Sequence, residues 1–206
     1  MISPTDVFAL CGWALALTAA ALRLQQAWFA KSSLAKLLML VVFIALLIPV
    51  FGAGLPLAAF FRGIGGDLSI TLLALSVWSL SHRLSRAAAV KKRELTLLLA
   101  AVSAAALMLY PTALGWGDWD AYRLGWGSWW FLSALLGLCI ISAWKGFYVL
   151  PALTALALLA WSFGLMESGN LWDYLMDPFL SAYAVVFVFI KCWQSVSRRF
   201  ANRSPH

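Results

Sequence analysis

An all-helical bundle embedded in a membrane is the fold class this sequence predicts, with about seven spans, the N-terminus outside and the C-terminus in the cytoplasm. Three observations lead there. Hydrophobic residues make up 64% of the 206 and charged residues only 11%, against roughly 45–50% and 25% in soluble domains. The apolar residues gather into runs near the roughly 20 needed to cross a hydrocarbon core of about 30 Å. Lys and Arg alternate between sides of those runs, as they do when short cytoplasmic connections retain positive charge. Helices follow because every backbone amide in lipid must be satisfied within its own segment.

The first run, 7–22, follows a start that holds no Lys or Arg. It therefore lacks the positive leader of a cleaved signal peptide and reads as a retained helix. The second, 34–61, is longer than one perpendicular crossing requires and contains Pro49, Gly52, Gly54 and Pro56. Proline removes a backbone donor and glycine removes steric restraint, so this helix is expected to kink or break. The third run is 68–84, with Asp67 after two glycines in position to cap it. The fourth is 95–114. The fifth and sixth, 129–144 and 147–166, are parted only by Lys145 and Gly146, yet together they are too long for one pass and are expected to cross twice; a re-entrant pair there would instead leave five full spans with the C-terminus still inside. The seventh, 179–193, follows Asp177-Pro178, a cap with proline at the first helical position. The whole chain, 1–206, reads as one integral membrane domain.

Orientation follows from the cations. Arg23, Lys31, Lys36, Arg83, Arg86, Lys91, Lys92, Arg93, Lys145, Lys191, Arg198, Arg199 and Arg203 fall on one side, leaving only Arg62 and Arg123 of the 15 on the other. The opposite side collects Asp67, Asp118, Asp120, Glu167, Asp173 and Asp177. The net charge of +7 is thus a topological signal, and it excludes a nucleic-acid surface. Anionic lipid headgroups are the expected partner of the basic rim.

Several features invite a functional reading. Broken helices in transporters expose backbone groups to ions or substrates, which Pro49 to Pro56 could do; the plainer reading is a bent, tilted helix. The stretch 115–130 holds Trp116, Trp119, Trp126, Trp129 and Trp130 among glycines, with Asp118, Asp120 and Arg123. Trp116, Trp119 and Trp126 could form an outward lid for a lipid or sugar, or an interfacial aromatic belt, which Trp129 and Trp130 certainly resemble. Asp118, Asp120, Arg123, Glu167 and Asp173 form a candidate outer polar cluster if the two acidic loops meet. The inner patch around His82, Arg83 and Arg86 would suit a docking partner as well as a topology signal.

Other chemistry leaves no signature. Cys11, Cys139 and Cys192 lie far apart without the spacing of a disulfide framework or metal site. No ionisable residue sits near the middle of a run, where proton or ion paths leave their mark. His-Glu-x-x-His, Gly-x-Ser-x-Gly and phosphate-loop patterns are absent. His82 and His206 both fall on the cytoplasmic side, and so does the Asn202-Arg203-Ser204 glycosylation pattern. The sequence identifies no cofactor, and the one metal reading it offers is Asp118, Asp120 and Asp173 as metal-binding or acid/base groups in the alternative of an outer-face enzyme.

The expectation that follows is a multi-pass protein of a bacterial inner membrane without a catalytic motif. It would act as an accessory or scaffold subunit in envelope lipid or polysaccharide handling, with a membrane-protein partner. Small residues such as Ala19-Ala20-Ala21 and Ala104-Ala105-Ala106 suit close helix packing. The alternatives are a small enzyme acting on a lipid-linked or phosphate-bearing substrate, through Asp118, Asp120, Asp173 and Arg123, and a transporter or flippase built on the second-helix break.

Overall fold

The computed structural model describes residues 3–24, 33–50, 52, 54–85 and 88–201. Lys31, Arg86, Arg203 and His206 fall outside them, as does the 202–204 glycosylation pattern. Among the described residues the elements are helical and no strand forms. The helices are α1 (Pro4–Leu24), α2 (Ser33–Leu47), α3 (Leu57–Gly65), α4 (Ile70–Ser85), α5 (Lys92–Ala113), α6 (Trp129–Trp144), α7 (Val149–Ser162), α8 (Leu171–Leu175) and α9 (Pro178–Ala201), with a 3₁₀ turn at Ala121–Gly125. Three of them, within α1, α5 and α9, are long and apolar enough to cross a membrane, while Lys36–Leu47, α6 and α7 are shorter apolar helices. The chain packs as two compact units, Met1–Val90 with Ala152–Asp177, and Lys91–Pro151 with Pro178–His206.

The first unit is arranged around α1, which packs against α2, α3 and α4. Trp13, Ala58, Leu68 and Leu73 form one buried cluster, and Ala19, Leu22, Met39 and Leu80 another. Close approach is possible because Gly12 faces the Leu73 side chain, which would stand 3.2 Å from an added Cβ. Ala19 is buried here while Ala20 is exposed, as expected of a helix that presents one face.

The run 34–61 is divided. α2 stops at Leu47, and an isolated antiparallel bridge pairs Pro49 with Pro56. The N–H of Val50 donates to the carbonyl of Leu55 at 2.9 Å. Gly52 and Gly54 take φ of +87° and +65°, conformations that suit glycine. The break is therefore a tight reversal, and the nine residues of α3 form a separate short helix beyond it.

α4 begins with a cap that differs from the expected one. The Ser69 hydroxyl accepts the Leu72 N–H at 3.1 Å, whereas Asp67 turns to Arg62. Asp177 anchors this start from a distant part of the chain: one carboxylate oxygen accepts the Ser69 N–H at 3.0 Å and its hydroxyl at 2.6 Å.

The second unit rests on α5 against α9. Leu98, Leu99, Val102, Ser103, Ala106 and Leu109 are the buried stripe of α5, with Leu180, Ser181 and Ala184 buried on α9. Spacings of three and four make this a helical face. The Tyr110 hydroxyl and that of Ser181 lie 3.3 Å apart. α6 is different, since only Phe131 and Ser142 of its 16 residues are buried. It ends at Trp144, and Gly146 at φ +76° turns the chain, so the break at Lys145-Gly146 is real.

That turn is held by a residue in the basic rim. Glu94 is buried, and its Oε2 accepts the N–H groups of Tyr148 at 2.9 Å and Val149 at 2.7 Å. These are among the donors that the start of α7 leaves unsatisfied, and a carboxylate at a helix start is also favoured by the helix dipole. Glu94→Ala should lower stability by about 1–3 kcal/mol. Thermal unfolding in mild detergent checks this, with Glu94→Gln, which keeps an acceptor, expected to lose less.

Candidate functional site

The densest polar construction in the first unit is centred on Arg62, in the last turn of α3. Its guanidinium meets three carboxylates: Nη1 lies 2.6 Å from Asp6 Oδ1, Nε 2.8 Å from Asp67 Oδ1, and Nη2 2.7 Å from Glu167 Oε1. The arginine side chain is 18% exposed, while that of Glu167 is 63% exposed.

Each partner is positioned by its own local structure. Asp6 sits in the first turn of α1 and forms a reciprocal cap with Ser3: Asp6 N–H donates to Ser3 Oγ, and Ser3 N–H donates to Asp6 Oδ2. Asp67 follows Gly66, whose φ of +70° bends the chain so that Asp67 returns toward Arg62. The Gly66 carbonyl accepts the indole N–H of Trp13 at 2.8 Å, and the Trp13 ring stacks on Phe61. The bend is therefore held on both sides.

Partial burial alone would lower the pKa of Arg62. Hydrogen bonds to Asp6, Asp67 and Glu167 outweigh that and raise it above the ordinary arginine range. Arg62 is a fixed cation, and one positive charge facing three negative ones leaves the cluster formally at minus two.

The third arm belongs to a segment that the sequence presents as an outer loop. Met166, Asn170, Leu171, Trp172, Tyr174, Met176 and Asp177 are buried, so this stretch is largely folded into the unit. Asn170 caps α8 by accepting the Trp172 N–H. The Tyr174 hydroxyl accepts the Met166 N–H at 3.1 Å. Asp173 accepts a hydrogen bond from the Ser168 hydroxyl, and the Trp161 indole donates to the Gly169 carbonyl at 2.8 Å.

The remaining predicted residues lie in the second unit. Asp120 caps the 3₁₀ turn, accepting the Tyr122 N–H at 2.9 Å. Asp118 and Arg123 are exposed, as are Trp116, Trp119 and Trp126. Gly115, Gly117 and Gly127 all have positive φ, which gives this loop its sharp turns. An apolar groove of about 600 Å³ beside α5 and α9 is lined by Tyr110, Trp116, Ser181 and Val185 among others. Pro49, Gly52, Gly54 and Pro56 line neither this groove nor a second apolar groove, of about 380 Å³, against α1 and α4. Among the described residues no group of three or more His, Cys, Asp or Glu side chains could hold a metal ion.

Sequence reasoning placed Glu167 and Asp173 among its candidates but missed Arg62, Asp6 and Glu94. The available signal for Arg62 was its setting: with Arg123 it is one of two cations that the sequence places among the acidic connections, and a cation among acids has every reason to pair. Comparison with known proteins found no matching family model, no matching curated protein and no matching solved structure.

Arg62→Met should destabilise the protein by about 2 kcal/mol, below the cost of breaking a fully buried pair because the cluster is part-exposed. Glu167→Gln should cost less than about 1 kcal/mol. Arg62→Lys should recover little, since an ammonium cannot reproduce the planar fork that serves three carboxylates. Unfolding midpoints of the three variants in one detergent check the ranking.

Proposed function

We propose that this chain is a multi-pass membrane subunit of the cell inner membrane that acts as a scaffold rather than through a catalytic centre of its own. In this reading it crosses about seven times, with the N-terminus outside and the basic rim facing the cytoplasm. Its partners are membrane proteins engaged in envelope lipid or polysaccharide handling, and anionic headgroups meet the basic rim.

The observation that carries the proposal is how the polar side chains are spent. Arg62 is shared among Asp6, Asp67 and Glu167. Asp120 and Asp173 accept local hydrogen bonds, and Glu94 and Asp177 accept backbone N–H groups. A catalytic or transport site needs groups free to exchange partners, with a pKa suited to that exchange. These groups instead close turns and join segments, the work of a rigid support. The three helices long and apolar enough to cross a membrane and the one-sided cations support the membrane setting.

Extraction in mild detergent followed by mass spectrometry should recover a stoichiometric membrane-protein companion. A solitary protein would count against the scaffold. Alanine at Asp118, Asp120, Arg123 and Asp173 should leave cellular function intact; loss of function with normal folding would favour an outer-face enzyme.

A further inference from the structure

We propose that this protein is matched to a bilayer with a hydrocarbon core of about 21–25 Å, thinner than the usual core of about 30 Å, and that it prefers lipids with short acyl chains. The proposal rests on the multi-pass reading and adds the lipid class that surrounds it.

α6, α7 and the apolar part of α1, each measured along its own axis, give a similar interval, while α5 is longer. α6 has 16 residues, or about 24 Å at 1.5 Å per residue. Trp129 and Trp130 mark its start and Trp144 its end, all more than 80% exposed. Exposed tryptophans at both ends of an apolar helix mark the two headgroup levels, so these side chains act as a ruler. α7 has 14 residues, about 21 Å, between the exposed Tyr148 and Phe163.

α1 is longer, but its polar residues lie inside its ends. Asp6 is in its first turn and Arg23 in its last, which leaves an apolar interval of about 25 Å. Both are engaged, Asp6 with Arg62 and Arg23 with the Ser79 hydroxyl. On α9 the apolar stretch from Pro178 is interrupted by Lys191, whose ammonium lies over the Phe187 ring, 5.6 Å from its centroid and one turn back toward the start of the helix.

The direction of adjustment is decided by the short elements. A long helix such as α5, with 22 residues, fits a thin bilayer by tilting, whereas a short apolar helix cannot lengthen and the bilayer must thin around it. α6 has little alternative, because it buries only Phe131 and Ser142 against its own chain and exposes Leu136, Ile140 and Ile141.

The test is reconstitution of the full chain into phosphatidylcholine vesicles of graded monounsaturated chain length, from dimyristoleoyl through dioleoyl to dierucoyl. The thermal unfolding midpoint should be highest in dimyristoleoyl or dipalmitoleoyl lipid and fall by several degrees toward dierucoyl. A maximum in dioleoyl or longer lipid, or a midpoint indifferent to chain length, overturns the match. Single cysteines at Ser128→Cys and Lys145→Cys, in a background with Cys11, Cys139 and Cys192 replaced by alanine, are then probed with an impermeant thiol reagent. Labelling from opposite sides keeps the crossing of α6 whatever the lipid series shows. Labelling from the same side removes the crossing of α6 and overturns the thickness match with it.

Discussion

The guanidinium of Arg62 gathers segments that sequence keeps apart: Asp6 lies 56 residues before it, and Glu167 far beyond it. A planar fork with five donors can serve several carboxylates at once, which no lysine can do. The start of α1, the end of α3 and the segment before α8 are thereby fixed to one point. Asp177 repeats the device without a cation, reaching the N–H and hydroxyl of Ser69 across 108 residues. In the first unit these two junctions add directed polar bonds to the buried apolar clusters around Trp13 and Ala19. Without a hydrophobic drive between helices in hydrocarbon, polar bonds and close packing decide which segments associate.

Tryptophan plays a related part within the same unit. The indoles of Trp13, Trp78 and Trp161 donate to the carbonyls of Gly66, Ala88 and Gly169 respectively. Each ties a loop carbonyl to a helix, and each ring keeps an apolar body in the bundle while its single donor reaches a polar backbone. Two of the three acceptors are glycines, where the missing side chain leaves the carbonyl open to approach.

Much of the architecture was legible in the sequence, and for physical reasons. Composition and run length announce helices in lipid, and the Lys145-Gly146 and Pro49 to Pro56 breaks are visible because glycine and proline act locally. What local chemistry cannot give is direction: Pro49 and Pro56 predict an interruption, but only the Val50–Leu55 hydrogen bond makes it a reversal. The stretch before Asp177 misleads because its acids and glycine look solvated, while five residues of α8 are too few to show a periodic apolar face. Glu94 misleads similarly, reading as one more charge beside Lys91, Lys92 and Arg93, although its partners lie 54 and 55 residues away. The aromatic character of Trp116, Trp119 and Trp126 was plain, and they are exposed; Asp120 was plain as an acid but serves as a cap.

The order in which these groups leave the ribosome has a bearing on assembly. The first unit is interrupted by the stretch Lys91–Pro151, so Asp6, Arg62 and Asp67 are synthesised early and Glu167 only after α5 and α6. Until then the arginine has two of its three carboxylates, and the start of α4 lacks Asp177. The unit that begins first is completed late, after the intervening helices have been synthesised. A translation pause or truncation between α4 and Glu167 would leave Arg62 without its third carboxylate and the start of α4 without Asp177.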